Sequence, residues 1–338
     1  MKNILVTGGF GFIGTTLVEL LLEESGNHVH VVDDMSSSPV IIEDFIGQLG
    51  QPSRLTYDVT SVAEFFQQAD GAGDWEQIYH LASPVGPAGV LQHAGRMVHD
   101  VVRDAYLIID YCLARGVKFV DVSTSEVYGG GQSGYCPEST PKIVPAKTTV
   151  RLEYAIAKLA AETAIINLCA TKSLRCSIIR PFNVAGPRQS PRGGFVLPRF
   201  IQQASSGKPI TVFGDGAAVR AFTHVRDMAR GIILGMEKGR DGEAYNIGNP
   251  ANKTNILDLA KRVKRVLKSE SEIVFVDPKT VYGPLYEEAN DKYPDSQRAT
   301  SELGWIPEYG IDMTIEDAFE EYNRQRDSGN VKDLVTSC

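Results

Sequence analysis

Short runs of apolar, β-branched residues alternate with longer amphipathic stretches through the first half of the chain. The apolar runs are too short for buried helices and suit strands that are buried on both faces. We predict strands at 3–7, 28–33, 54–58, 77–81, 118–123 and 175–180, and helices at 11–24, 89–115 and 152–171. This alternation is typical of βαβ units and predicts an α/β fold with a doubly wound parallel sheet.

The alternation of apolar runs and amphipathic stretches changes after Pro181. Glycine and proline cluster at 181–194, 214–216 and 248–250, and shorter helices are predicted at 256–267 and 314–324. We therefore expect two parts. Residues 1–180 would form a dinucleotide-binding domain of Rossmann type that includes the catalytic residues. Residues 181–330 would form a smaller C-terminal α/β substrate-binding lobe, part of which returns to the main sheet.

Composition narrows the range of partners. The 338 residues include 34 Lys and Arg against 42 Asp and Glu, so the formal net charge is 34 − 42 = −8. This acidic balance argues against nucleic acid as a partner. No signal-peptide pattern and no run of about 20 apolar residues is present, so we expect no membrane partner and a cytoplasmic location. The cysteines are scattered without ligand-like spacing, so we expect reduced thiols and no metal: Cys112, Cys136, Cys169, Cys176 and Cys338.

A glycine-rich turn directly follows the first predicted strand and opens a helix. It contains Gly8, Gly11 and Gly14 in GxxGxxG spacing, and it can also be read as GxGxxG from Gly9. Such glycines allow the backbone to approach a pyrophosphate, which binds the N–H groups at the start of the helix. We therefore assign Phe12 and Ile13, together with the glycines, to cofactor binding. A turn that needs glycine only for its shape is the alternative.

An acidic residue ends the second predicted strand. Asp33 lies 19 residues beyond Gly14, where a carboxylate can accept both ribose hydroxyls of an adenosine. A carboxylate repels a 2′-phosphate, and no arginine follows until Arg54. The sequence therefore favours NAD over NADP as the cofactor.

The ends of the third and fourth predicted strands supply further candidates. Ligands in open α/β sheets bind outside the carboxyl ends of the strands. We therefore expect the cofactor to contact Asp58, Val59, Leu81, Ala82 and Ser83. For Asp58 the alternative is a cap on the next helix, and His80 is more simply interpreted as a packed core histidine.

A tyrosine and a lysine four residues apart lie in the helix predicted at 152–171. This spacing places Tyr154 and Lys158 on one helix face. A neighbouring ammonium and a nicotinamide cation favour the phenolate, which would take a proton from a substrate alcohol while hydride leaves the carbon. Thr124, at the end of the fifth strand, would hold the same oxygen. We also assign Tyr154 and Lys158 to cofactor binding.

These motifs together resemble those of the extended short-chain dehydrogenases/reductases, in the NAD-dependent epimerase/dehydratase family that acts on nucleotide sugars. The resemblance rests on the glycine turn, Asp33, Tyr154 and Lys158, and on HLAS at 80–83, STSEVYG at 123–129, RPFNVAGPR at 180–188, TVFGDG at 211–216 and YNIGNP at 245–250. It implies a catalytic set of Thr124, Tyr154 and Lys158.

The resemblance also implies a nucleotide-diphosphate sugar as substrate. Asn183 and Arg220 match positions that commonly contact the diphosphate, and a guanidinium suits phosphate oxygens. We add Pro181 to the cofactor contacts, and we add Ser125, Arg188 and Val196 to the substrate contacts. Arg188 has a plain alternative as a solvated charge.

Family members share oxidation of the sugar at C4 and differ in the later steps. Glu126 is expected to abstract the C5 proton and assist elimination at C6, although a role in orienting other groups is the alternative. The run at 124–126 is similar to that of dehydratases and of UDP-glucuronate decarboxylases. The Arg-Lys-Pro pattern of decarboxylases is replaced here by Lys292, Tyr293 and Pro294, within 287–294 where the family usually supplies an arginine. Epimerisation or dehydration is therefore our main prediction, and UDP-glucuronate decarboxylation is the runner-up.

A non-catalytic NAD-sensing scaffold on the same fold is the alternative from a different functional class, and intact Thr124, Tyr154 and Lys158 argue against it.

By resemblance, the helices at 89–115 and 152–171 would pack into a four-helix bundle in a homodimer.

Overall fold

A computed structural model describes residues 2–50, 52–68, 73–129, 134–146, 149–191, 194–283 and 291–327. Its strands are β1 (Lys2–Thr7), β2 (Asn27–Asp33), β3 (Leu55–Val59), β4 (Gln77–His80), β5 (Lys118–Val122), β6 (Gly134–Cys136), β7 (Cys176–Pro181), β8 (Val184–Ala185), β9 (Ile210–Phe213), β10 (Val219–Ala221), β11 (Thr223–His224), β12 (Ala244–Ile247), β13 (Lys253–Asn255), β14 (Ile273–Val276) and β15 (Lys292–Pro294).

The helices lie between these strands and after the last of them. They are α1 (Phe12–Glu23), α2 (Ile42–Leu49), α3 (Val62–Gln67), α4 (Gly86–Gln92), α5 (Met97–Arg115), α6 (Val150–Lys172), α7 (Val196–Ser205), α8 (Val225–Lys238), α9 (Ile256–Val266), α10 (Lys279–Tyr282) and α11 (Ile311–Asp327). In the part of the chain that the structure describes, none of these helices has the length and apolarity needed to cross a membrane.

Seven parallel strands form the central sheet in the order β12-β7-β5-β4-β1-β2-β3. The order reverses at β1, which pairs with β2 on one side and β4 on the other. Ligands in such sheets bind where the strand order reverses, because loops diverge there and leave a crevice. The predicted α/β class and Rossmann-type sheet are confirmed, and each strand boundary predicted for the first half lies within one residue of the observed one.

The helix predicted at 89–115 is wrong as a single element. The structure divides this region into α4 and α5, with Gly95 at φ +84° between them. The Glu153 carboxylate accepts hydrogen bonds from the backbone N–H groups of Gly95 at 2.7 Å and Met97 at 3.0 Å. A side chain from α6 therefore caps the second helix, and the periodicity of one segment does not show such a contact.

Helices cover both faces of the sheet. On one face α1 packs beside α8, over a core that includes Val6, Leu17 and Ile232. On the other face α5 packs beside α6, over a core that includes Leu5, Ile108 and Ile165. Both faces of the strands are apolar for this reason, as is usual in parallel sheets.

The segment after Pro181 serves both parts of the fold. It adds β12 and α8 to the main sheet, and it also forms a separate core between α7, α9 and α11. That second core includes Phe200, Leu259 and Ile315. The segment after Pro181 is therefore joined to the sheet edge that carries β7 and β12.

A buried ion pair joins α6 to the sheet beneath the carboxyl ends of the strands. Arg180 on β7 donates to Glu162 on α6 through two hydrogen bonds, at 2.9 and 2.6 Å. Its third contact is the Tyr128 hydroxyl at 2.9 Å, which in turn donates to Asn246 on β12 at 2.6 Å. Because both charges are removed from water, each requires the other.

Replacing Arg180 with methionine is expected to lower the free energy of unfolding by about 3–5 kcal/mol, because it leaves the Glu162 carboxylate buried without its cation. The double variant Arg180→Met/Glu162→Leu is expected to be more stable than the single variant, since it removes both charges. Urea unfolding followed by circular dichroism measures the difference. A double variant less stable than the single one would contradict this interpretation of the pair.

Candidate active site

The glycine turn after β1 forms a tight floor at the point where the strand order reverses. Gly8 has φ +73°, and a β-carbon there would lie 2.7 Å from the Ala82 backbone nitrogen after β4. Its carbonyl accepts a hydrogen bond from the Gly11 N–H at 3.1 Å. A side chain at position 8 would separate β1 from the loop after β4, so glycine is required by geometry.

Helix α1 begins at this turn with its N–H groups uncovered by side chains. Its N-cap is Gly11, which has no side-chain cap, and its first turn holds no acidic residue. Phe12 and Ile13 follow in that first turn, and Gly14 is buried against Gly9. A helix start with free donors and no local carboxylate fits a phosphate group.

Asp33 lies at the end of β2 beside the same turn. Its carboxylate accepts hydrogen bonds from the backbone N–H groups of Phe10 at 3.0 Å and Met35 at 2.9 Å. Burial raises the pKa of this carboxyl, while the two backbone donors oppose the rise. The glycine turn, the uncapped helix start and this carboxylate together fit the diphosphate and adenosine ribose of NAD.

The other residues predicted to contact the cofactor at strand ends lie in different surroundings. Asp58 accepts from His30 Nε2 at 3.0 Å, and Ser61 rather than Asp58 caps α3. Leu81 donates its N–H to the Thr7 carbonyl at 3.0 Å, followed by Ala82 and Ser83 in the loop beside the glycine turn. Val59 is exposed and ends β3, and Pro181 ends β7.

Tyr154, Thr124 and Lys158 come together at the carboxyl end of β5. Thr124 follows β5, and its hydroxyl accepts the N–H of Glu126 at 3.2 Å and is hydrogen-bonded to Tyr154. Lys158 lies one helical turn from Tyr154 and donates to the Val122 carbonyl at 2.9 Å. All three are buried, so a substrate oxygen held here is protected from bulk water.

The protein alone does not favour the tyrosinate. Burial raises the pKa of Tyr154, and the carboxylates of Glu126 and Asp121 add to the rise, while the Thr124 hydrogen bond opposes it. Lowering this pKa therefore requires a positive charge beyond these groups, such as the nicotinamide ring of bound NAD.

Glu126 is held by two cations from distant parts of the chain. Arg151 on α6 binds both carboxylate oxygens, at 2.7 and 3.0 Å. Lys292 on β15 lies 3.0 Å from one of those oxygens, and it also donates to the Ser125 carbonyl at 3.1 Å. Despite burial, these cations hold the pKa of Glu126 far below its usual range.

The family follows from a comparison with known sequences. The family model described as "NAD dependent epimerase/dehydratase family" matches residues 4–248. The chain belongs to this family. The NAD-dependent enzyme predicted from the motifs is thus confirmed.

Relatives and solved structures agree with this assignment. The chain is 31% identical over 322 residues to the UDP-N-acetyl-alpha-D-glucosaminuronate decarboxylase of Bacillus cytotoxicus, covering 93% of this chain and 97% of the relative. The UDP-glucose 4-epimerase of Thermotoga maritima superposes with a TM-score of 0.83 at 27% identity, covering 96% and 99% of the two chains. The UDP-glucuronic acid 4-epimerase of Bacillus cereus was solved with UDP-glucuronic acid and NAD. It superposes with a TM-score of 0.81 at 27% identity, covering 95% of this chain and 99% of the epimerase.

The residues predicted to bind substrate in this epimerase/dehydratase fold are spread over the lobe. Asn183 has φ +36°, and its side chain donates to the Ala221 carbonyl at 3.4 Å. Arg220 on β10 is buried and lies 3.2 Å from Asp291. Val196 begins α7. Arg188 binds Glu19 on α1, which links the lobe to the main domain.

Arg151 is a residue of this site that the sequence patterns do not single out. It lies three residues before Tyr154, and this spacing places it on the same face of α6, which is the one signal the sequence offers. Lys292 departs from the decarboxylase pattern, but its contact with Glu126 joins positions too far apart in the chain to be read from spacing. The rest of the segment considered with it, 287–290, lies outside the described residues.

Replacing Gly8 with alanine is expected to weaken NAD binding by about tenfold to a hundredfold, the equivalent of the 1–3 kcal/mol typical of overpacking. Calorimetric titration of NAD into the cofactor-free protein measures the change. Gly50→Ala is the matched control, because Gly50 has φ +63° but no atom within 4 Å of the added carbon. Equal losses in both variants would show that backbone strain, and not the contact with Ala82, is responsible.

Proposed function

We propose that this enzyme oxidises C4 of a nucleotide-diphosphate-activated uronic acid and then releases its C6 carboxylate as carbon dioxide. The observation that carries the proposal is the pair of cations, Arg151 and Lys292, beside Thr124 and Tyr154. A neutral hexose offers no negative charge to such a pair. A sugar carboxylate does, and a guanidinium binds it in a fixed, two-pronged geometry.

The cations around Glu126 support an anionic substrate. Arg151 and Lys292 each lie within 3.0 Å of the Glu126 carboxylate. Lys292 is almost fully buried, and a buried cation is stabilised by each additional anion within reach. A substrate carboxylate beside Lys292 would supply such an anion.

The state of Glu126 favours decarboxylation over dehydration. Dehydration requires a base for the C5 proton, and a carboxylate whose pKa is held this low is a poor proton acceptor. Loss of carbon dioxide from a 4-keto sugar acid requires no such base, since the C5–C6 bond itself supplies the electron pair to C5. In this interpretation Glu126 positions Arg151 and Lys292.

The side chains then have separate tasks. Tyr154 takes the proton from the C4 hydroxyl, and the Thr124 hydroxyl holds the same oxygen. The glycine turn and Asp33 would hold NAD, which would supply hydride-transfer chemistry at C4. Carbon dioxide leaves as the C5–C6 bond breaks, and a proton then adds to C5. Lys158 lies one helical turn from Tyr154 and donates to the Val122 carbonyl.

The relatives support an acidic sugar as the substrate, and they leave one competing reaction. The Bacillus cytotoxicus relative is a decarboxylase, whereas the Bacillus cereus neighbour is a UDP-glucuronic acid 4-epimerase. Epimerisation of the same acid at C4 is therefore the second candidate. Both need the carboxylate to be recognised, and they differ only in whether it is retained.

Mass spectrometry of the products separates these outcomes. The purified enzyme is incubated with UDP-glucuronate, UDP-N-acetylglucosaminuronate, UDP-glucose, UDP-GlcNAc and GDP-mannose. Loss of carbon dioxide from an acid supports the proposal, and unchanged mass with altered retention indicates epimerisation. Turnover of the neutral sugar nucleotides alone would contradict the proposed decarboxylation. Tyr154→Phe should abolish turnover, whereas a protein that only senses NAD would keep its function in this variant.

Replacing Arg151 with methionine is expected to lower kcat/KM for UDP-glucuronate by about thirtyfold to a hundredfold, as for the loss of a charge-assisted contact. Inhibition by UDP-glucose should change less than about threefold, because it presents no carboxylate. Arg240→Met is the control, since Arg240 binds both carboxylate oxygens of Glu302 at 3.1 and 2.6 Å before the start of β12. Equal losses for acid and neutral ligands would contradict a carboxylate-binding role for Arg151.

We also propose a homodimer formed through α5 and α6, and a cytoplasmic location. Both helices expose apolar side chains, among them Val98, Tyr106 and Ile166, which an interface would cover. The cysteines described by the structure, Cys112, Cys136, Cys169 and Cys176, carry free thiols, as suits a reducing compartment. Cys338 lies outside the described residues.

Light scattering should give twice the chain mass of 36.9 kDa for the wild type. Ile166→Asp should shift the protein toward the single-chain mass, because it places a charge in the proposed interface. Ile306→Asp is the control, as Ile306 is also an exposed isoleucine (64% against 40% for Ile166) but lies outside α5 and α6. A monomeric wild type would contradict the dimer.

A further inference from the structure

Lys158 carries its charge in a place that water does not reach. The residue is 1% exposed, and its ammonium donates to the Val122 carbonyl at 2.9 Å. Burial lowers the pKa of this lysine. A buried ammonium remains charged only if an anion lies near it, because desolvation favours the neutral amine.

Three carboxylates face Lys158, and two of them have a cation of their own. Glu162 is held by Arg180 at 2.6 Å, and Asp104 is held by Arg103 at 2.8 Å. The third is Asp121, which among these three most strongly opposes the fall in the pKa of Lys158. Asp121 is therefore the one of these three carboxylates that forms no ion pair with an arginine among the described residues.

Asp121 lies in the middle of the sheet, where a parallel strand normally carries an apolar residue. It is 1% exposed, and the structure shows no hydrogen-bond partner for its Oδ2 atom among the described residues. The same holds for the hydroxyl of Ser123, which directly follows β5 and lies two residues after Asp121. A buried carboxylate without a partner destabilises a fold, so it calls for a function.

His80 does not supply the missing cation. It lies opposite Asp121 on the neighbouring strand β4, and its Nδ1 is hydrogen-bonded to the Thr7 hydroxyl at 2.8 Å. Complete burial lowers the pKa of His80 to about 3, and the charge of Lys158 contributes to the fall. His80 is therefore neutral at physiological pH, which leaves Lys158 as the cation facing Asp121.

We propose that Asp121 is the counter-ion that keeps Lys158 charged and fixed beneath Tyr154, and that it is a positioning residue for proton transfer. The proposal goes beyond the choice of sugar, because every outcome considered above uses the Tyr154–Lys158 pair. It rests on the proposed function only where turnover is measured.

The surroundings of Asp121 determine the pH range in which its carboxylate is charged. Ionisable groups lie near it on the strands and helix packed against it: His80 on β4, Cys176 on β7, and Tyr154, Lys158 and Glu162 on α6. Asp104 on α5 acts on Lys158 instead. Burial and Glu162 raise the pKa of Asp121 to about 6, while Lys158 opposes the rise. At pH 7 and above the carboxylate is therefore charged, and Lys158 loses its counter-ion as the pH falls below about 6.

The ionisation of Lys158 can be followed directly without any substrate. The protein is labelled with ¹³C at the lysine side chains, and the Cε signal of Lys158, assigned by its absence in Lys158→Met, is titrated with pH. In Asp121→Asn the midpoint should fall by about one pH unit or more, as expected for loss of a neighbouring opposite charge. Asp121→Leu should give the same fall without leaving an unpartnered polar group in the core.

Asp104→Asn is the matched control. It removes one carboxylate charge that also acts on Lys158, but Asp104 has its own arginine, so the Lys158 midpoint should move much less than in Asp121→Asn. Turnover then provides a second readout. With an active substrate, the basic limb of the kcat–pH profile should move to lower pH in Asp121→Asn and stay in place in Asp104→Asn.

An unchanged Lys158 midpoint in both folded Asp121 variants would overturn the proposal. The same conclusion follows if Asp104→Asn shifts the midpoint as much as Asp121→Asn. Failure of every uronic acid to react would instead count against the proposed function, and it would leave the lysine titration interpretable.

Discussion

Positive charge held out of water is the constraint on which the rest of the site depends. Lys158, Arg180 and Lys292 are all buried, and burial of a cation is tolerated only with an anion close by. The fold supplies those anions from strands and helices that meet at the carboxyl edge of the sheet. Asp121, Glu162 and Glu126 each face one of these cations.

This arrangement separates the site into two electrostatic parts. Beneath Tyr154, the charge of Lys158 is balanced by Asp121, which serves proton transfer at C4. Beyond Thr124, the cations Arg151 and Lys292 both contact Glu126, which suits the proposed recognition of an acid at C6. In the proposed reaction, the oxidation at C4 and the loss of the carboxylate would therefore depend on different residues. A change in one part can alter the substrate without altering the first chemical step.

Much of the fold and of the cofactor site can be predicted because the signals are local. The strand pattern, the spacing of Gly8, Gly11 and Gly14, and the position of Asp33 each depend on a short segment. The Tyr154–Lys158 pair follows from helical periodicity in the same way. The break between α4 and α5 escapes prediction because its cap, Glu153, comes from another helix.

The electrostatics of the site cannot be predicted in this way because they depend on distant pairs. The place of Glu126 at a strand end predicts a base, yet its state is determined by Arg151 and Lys292. Asp121 belongs to no motif and lies within an otherwise apolar strand, and only the packing of α6 on the sheet brings Lys158 above it. A charge in a sequence has no fixed role until its partners are known.

The most direct measurement is a crystal structure of the Tyr154→Phe variant with NAD and UDP-glucuronate. We predict that the sugar carboxylate lies within hydrogen-bond distance, about 3 Å, of both Arg151 and Lys292, with C4 beside Thr124. A carboxylate directed away from these two cations, with the Glu126 contacts unchanged, would contradict their proposed role in binding an acidic sugar.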